Sequence, residues 1–142
     1  MSIVNTPKPF SPGNWASNDP AGKDIVIRWL KANGIDAMEN PDDYGIDLMA
    51  PRYEVERRTI LKDQWFWPTV HVPYRKKKFF TFHIWYVVNV HHITDTSEFD
   101  TLMFCDSDTI KQSDVIEVPN KSMSKGEHFY DVPTVKWKIY NV

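Results

Sequence analysis

The stretch PDDYGIDLMAPRYEVERR, residues 41–58, decides how this chain is read. In 52–60, Tyr53, Val55 and Arg57 fall on one face of an extended strand, and Glu54, Glu56 and Arg58 on the other. In 46–50, Ile46, Leu48 and Ala50 alternate with Asp47 and Met49. A hairpin turning at Ala50-Pro51 sets Asp47 directly opposite Glu54, with Cβ atoms about 5 Å apart, and Glu56 one diagonal step away at roughly 7–8 Å. A longer loop would slip this register. Like charges opposed in this way destabilise a strand pair unless something neutralises them. A hard divalent cation does so, because Mg2+ is held by one or two carboxylates together with water and phosphate oxygens. The competing reading is a solvent-exposed acidic face compensated by Arg52, Arg57 and Arg58.

Outward from the hairpin, the chain alternates helix and strand signals. Asn18 and Asp19 can cap a helix whose first turn holds Pro20. Ile25, Val26, Trp29 and Leu30 make its apolar stripe and Gly34 its stop, so the spacing predicts a helix over 20–33. Residues 35–39 read as a strand, closed by a turn at Asn40-Pro41-Asp42-Asp43. The Pro-rich residues 1–18 read as an extended arm. Residues 61–70, aromatic and interrupted by Pro68, carry no clear pattern. The aromatic and β-branched segment 79–93 is the strongest strand signal, followed by strands at 100–105, 115–118 and 135–141 and a helical turn at 107–113. The expected architecture is a single α/β domain over 1–142, a mixed central sheet of five or six strands with helix 20–33 packed on it.

Composition narrows the function classes. A chain of 142 residues is one domain. One cysteine, Cys105, excludes an internal disulfide framework and a Cys-based zinc cage; its apolar surroundings predict a buried small hydrophobe. The longest apolar run, the WYVV of 85–88, is far below the roughly 20 residues of a membrane helix, and the N-terminus lacks a signal-peptide pattern. A cytoplasmic protein is expected. The net charge of −2 conceals segregation: residues 51–80 hold eight bases and three acids, a local +5, between acidic flanks. Within it Arg75, Lys76, Lys77 and Lys78 follow Tyr74, a cluster suited to a phosphate backbone or, alternatively, to a solvated loop. The adjacent His91 and His92 face opposite ways in a strand, and no histidine has ligand spacing. Tyr53, Trp65 and Trp67 read as core residues, the alternative being base stacking.

The order of helix, strand, Asp strand and Glu-x-Glu strand, with Asp47 in GIDL and Glu54-Val55-Glu56 in YEVE, resembles the PD-(D/E)XK, restriction endonuclease-like, nuclease superfamily. The resemblance covers about residues 19–60. It implies a central sheet flanked by helices and Mg2+-dependent hydrolysis of DNA phosphodiester bonds, with Mn2+ as a substitute. Asp47 and Glu54 would hold the metal, with the Val55 carbonyl as a further ligand. Glu56 would hold metal or position the attacking water, and Arg57, Arg58 and Arg75 to Lys78 would contact DNA. Most members carry Lys where this chain has Glu56; a minority carry Glu. The positive charge would then come from Arg57, Arg58, Lys62 or the 75–78 run. Asp19 or Asp24 could add a carboxylate, although a cap or surface role is expected for both. One site per chain favours a homodimer for cutting both strands of a duplex. The alternatives are a catalytically silent DNA-binding module and a protein-interaction domain with an acidic face.

Overall fold

The stripe containing Val26 and Leu30 winds as helix α1, Pro12–Ala32. The computed structural model describes residues 12–42, 44–49, 51–119 and 126–142, with side chains from residue 21 onward. The helix ends as its glycine dictates. Gly34 takes φ +82°, its N–H donates to the Lys31 carbonyl at 3.0 Å, and the Ile35 N–H reaches back to the Leu30 carbonyl at 2.9 Å. This is a Schellman closure, which only a residue tolerant of the left-handed region completes without strain. The start differs from expectation. Pro12 opens the helix in the position where a missing N–H costs nothing, so Asn18, Asp19 and Pro20 lie inside it. Residues 12–18 of the expected extended arm are therefore helical; residues 1–11 of it, and the side chains of Asn18 and Asp19, lie outside what is described.

The strands are β1 (Met38–Glu39), β2 (Leu48–Met49), β3 (Tyr53–Ile60), β4 (Thr69–Pro73), β5 (Trp85–Ile93), β6 (Glu98–Asp106), β7 (Asp114–Val118), β8 (Glu127–Pro133) and β9 (Lys138–Asn141). A six-stranded mixed sheet runs in the order β1-β2-β3-β5-β6-β9. Only β3 and β5 are parallel within it; the other pairs are antiparallel. Parallel neighbours need a long crossover. Here it consists of β4 and a 3₁₀ helix, Tyr74–Phe79, which contains the basic run. Strands β4, β8 and β7 form a separate antiparallel sheet. Helix α2, Ser107–Lys111, follows β6 and is capped by Asp106, whose carboxylate accepts from the Thr109 N–H at 2.8 Å.

Both faces of the central sheet are covered. On one, Val26 and Leu30 of α1 pack over Leu48, Tyr53, Val55, Val87, Leu102 and Phe104. On the other, Val70, Val72, Tyr130 and Val132 of the small sheet meet Tyr86, Val88, Val90, Met103 and Cys105. Burial on two sides explains why 85–90 is nearly continuous in apolar residues instead of alternating. Each such side chain contributes about 1.5–3 kcal/mol. The result is a mixed α/β fold in which the second flanking layer is a sheet where helices were expected. Neither β4 nor β8 follows from the local pattern. Pro68 and Pro133 obscure their ends, and both prolines lie at strand termini, where no ladder N–H is lost. Among the described residues, no helix is long and apolar enough to cross a membrane.

Candidate active site

The hairpin forms in the register that its alternation predicts. Leu48 pairs with Tyr53, which carries Asp47 opposite Glu54. Strand β2 proper begins only at Leu48, and Ile46 consequently packs with the small-sheet core while Leu48 packs with the helix-side core. At this junction each acid accepts from a backbone N–H of the other's segment. The Asp47 N–H donates to Glu54 Oε1 at 3.2 Å, and the Val55 N–H donates to Asp47 Oδ2 at 2.8 Å.

Among the described residues, three cations bear on this pair or its neighbour. Lys76, from the 3₁₀ helix, reaches over β3 and ion-pairs with Glu54 Oε2. Lys23, from α1, lies 3.5 Å from Asp47 Oδ1 and 3.7 Å from Glu39. Arg58 binds Glu56, which also accepts from the Tyr86 hydroxyl. Glu56 is thus drawn toward Arg58 and Tyr86, and the three carboxylates do not converge on one point.

Their electrostatics differ accordingly. Glu54 is 2% exposed. Burial, reinforced by the Asp47 charge, pushes its carboxyl up to about 7 in spite of Lys76. Burial pushes Glu56 the same way, but the Arg58 guanidinium and the Tyr86 hydroxyl outweigh it and hold Glu56 below the usual carboxylate range. One acid is poised to titrate near neutrality, while its neighbour two residues on is locked in the charged form.

No protein-family model, curated protein or solved structure matches the chain.

The remaining candidates are scattered. Arg57 turns to the helix side, where it donates to Asn89 Oδ1 at 2.6 Å and lies 3.4 Å from Asp100. Arg58 donates to the His71 carbonyl as well as to Glu56. Neither side chain joins Lys76. Arg75 lies 3.7 Å from Glu127, and Lys77 donates to the Tyr74 hydroxyl at 3.1 Å, its ammonium 4.6 Å from that ring's centre. Lys78 sits 5.0 Å from the Phe79 ring. Asp24 pairs with Arg28 on the helix surface at 2.9 Å, the surface role expected of it. His91 bridges Glu98 and Asp100, and His92 is buried between the Lys62 carbonyl and Thr101. Cys105 is buried, its thiol pushed up to about 12 by that burial. Tyr53 is core as expected, whereas Trp67 is 41% exposed.

Among the described residues, no three His, Cys, Asp or Glu side chains gather around one point as a metal cage. Two carboxylates suffice for Mg2+, which usually retains several waters. The pair Asp47 and Glu54 meets that requirement in number, two carboxylates set side by side on neighbouring segments, with Lys76 on Glu54 and Lys23 near Asp47 supplying positive charge that a bound cation would displace or share. Sequence reasoning identified the pair through strand alternation. It could not single out Lys76, which is 22 residues from Glu54 and shares its run with three other cations.

Proposed function

We propose that this protein is a Mg2+-dependent DNA endonuclease of the PD-(D/E)XK type in which Lys76 supplies the positive charge that most members carry at the position of Glu56. The observation behind this reading is the contact of Lys76 with Glu54 beside Asp47, which assembles two carboxylates and an ammonium group from three separate elements. The order α1-β1-β2-β3 that precedes the crossover supports it.

Asp47, Glu54 and the Val55 carbonyl would hold the metal. When bound, it would lower the pKa of a water and polarise the phosphate. Asp47 and Glu54 must be ionised for that, and Lys76 favours the charged form of Glu54. The Lys76 ammonium, now paired with Glu54, would hydrogen-bond an attacking water or a phosphate oxygen and stabilise charge that builds as the phosphorus–oxygen bond breaks. Glu56 serves indirectly by fixing Arg58. Phosphodiester hydrolysis needs no covalent nucleophile, which agrees with a site made of carboxylates and the amines of Lys76 and Lys23.

Titration of Mg2+ or Mn2+ into the protein with supercoiled plasmid and with branched DNA tests the reading. Metal-dependent nicking or cutting is expected. Asp47→Asn should abolish it, and Lys76→Ala should lower the rate by roughly 10²–10³, the scale of losing one positioned transition-state donor. DNA binding without cleavage under any metal would favour a silent nuclease-like module. Full activity in Asp47→Asn would remove the site.

A further inference from the structure

Strand β3 links the acidic pair to a second feature. At its far end, Arg58 and Ile60 line a cavity of about 530 Å³ whose other walls include Trp65, Trp67, Pro68 and His71. That size lies within the roughly 300–1,000 Å³ of small-molecule sites. Trp65 and Trp67 stand 4.7 Å apart with their planes at 60°, which forms an angled aromatic wall. Trp67 is 41% exposed and its neighbour Phe66, stacked on it at 3.9 Å, is 53% exposed. The part of the Trp67 ring that its neighbours leave in solvent beside the cavity is apolar surface open to a further flat partner. The segment is held ready: Thr134 donates from Oγ1 to the Trp67 carbonyl at 2.8 Å and from its N–H to the Pro68 carbonyl at 2.9 Å. The Trp65 indole N–H is buried without an acceptor. A guanidinium also contributes, since Arg58 lies 5.9 Å from the centre of the Trp65 ring.

We propose that this cavity receives an unpaired nucleobase, so that the protein's DNA substrate is single-stranded, or carries a single-stranded segment, at the end of β3 away from Glu54. Three observations select this occupant. Flat π-surfaces stack on any base, and Arg adds a planar cation. The strand that builds the cavity wall, β4, leads directly into the 3₁₀ helix with Lys76, Lys77 and Lys78, so phosphates attached to that base meet positive charge. Four residues of β3, about 13 Å at strand rise, separate Glu54 from Arg58, a span that a short run of extended strand covers. A base paired within a duplex has both faces stacked and cannot enter. The location beside a cleavage site rests on the nuclease reading; the affinity for an unpaired base does not.

The test is binding of fluorescent oligo(dT), and of a duplex of equal length, by anisotropy in EDTA, followed by cleavage of single-stranded and duplex DNA in Mg2+. The wild type should bind oligo(dT) more tightly than duplex. Trp67→Leu should lose roughly 5- to 150-fold in oligo(dT) affinity, the worth of one stacked base, while changing duplex binding little. Trp67→Phe, which keeps a ring, should retain most of the affinity and guards against misfolding of the leucine variant. Equal losses on both DNAs, no loss on oligo(dT), or a preference for the ribo-oligomer would overturn the proposal. Trp67-dependent oligo(dT) binding without metal-dependent cleavage would sustain the pocket and remove the nuclease. Cleavage of duplex and single strand alike, indifferent to Trp67, would do the reverse.

Discussion

Glu54 gives the fold a pH response near neutrality. Its carboxyl is raised to about 7, with burial as the main cause and Asp47 as the second. In the unfolded chain it titrates near its ordinary 4.5. Between those values the folded state binds a proton that the unfolded state has lost. Stability from this group is therefore present in full below about 4.5 and is lost as pH rises through about 7, a change on the order of 3 kcal/mol. Glu56 acts in the opposite sense and in another window. Its folded-state value is lowered, so its contribution holds above 4.5 and fades only on further acidification. Denaturant unfolding in EDTA should accordingly give a lower free energy at pH 7.5 than at pH 5. Glu54→Gln should flatten that difference, because the amide has no proton to lose. A difference that survives in Glu54→Gln would assign it to other groups.

Among the elements, the 3₁₀ helix Tyr74–Phe79 separates two roles that one run of sequence conceals. Lys76 is turned inward onto Glu54, whereas Lys77 and Lys78 lie against the rings of Tyr74 and Phe79. Phosphate binding by the outward pair should appear as counterion release. Lys77→Ala with Lys78→Ala should weaken binding at every DNA sequence and reduce the log–log salt slope by roughly 0.9 for each phosphate left unneutralised. The cleavage rate at saturating DNA should stay near that of the wild type, unlike in Lys76→Ala. An unchanged slope would place both lysines in solvent only. The run was legible as basic, but its division was not, since it depends on a helical path that begins after β4, itself hidden by its prolines. The hairpin was legible because period-two alternation fixes both faces once the turn is placed. Helix α1 was legible in its stripe and its Gly34 stop, but not in its start, where Pro12 and Pro20 give the same signal and only one can mark the first turn.

At the scale of the molecule, the layers were half legible. Apolar strands at 85–93 and 98–106 require cover on both sides, but nothing local states whether helix or sheet provides it. Pairing of β4 with β8 joins residues some 60 positions apart and leaves no local trace. The same two-sided packing makes the site rigid. Asp47 and Glu54 are held by each other's strands, Lys76 by the crossover and Lys23 by α1, so the fold retains a crowded acidic pair that the unfolded chain disperses. A cation that binds only this folded arrangement must stabilise it, by about 2.7 kcal/mol at a hundredfold excess over Kd. For a domain near this size that corresponds to a rise of roughly 5–10 °C in Tm. The rise should depend on pH, because binding displaces the proton from Glu54. Below about 7 each unit of acidification should weaken the metal about tenfold, and at pH 8 that competition should vanish. Thermal melts with Mg2+ at pH 6 and pH 8, in EDTA-treated protein, should therefore give a larger shift at the higher pH. Asp47→Asn should show almost no shift at either pH, and its EDTA-treated form should melt at or above the wild type at pH 8, where Glu54 is ionised and one of two repelling charges is gone. A shift of equal size in Asp47→Asn would mean that the cation binds elsewhere, and the acidic pair would then be a structural clasp between β2 and β3.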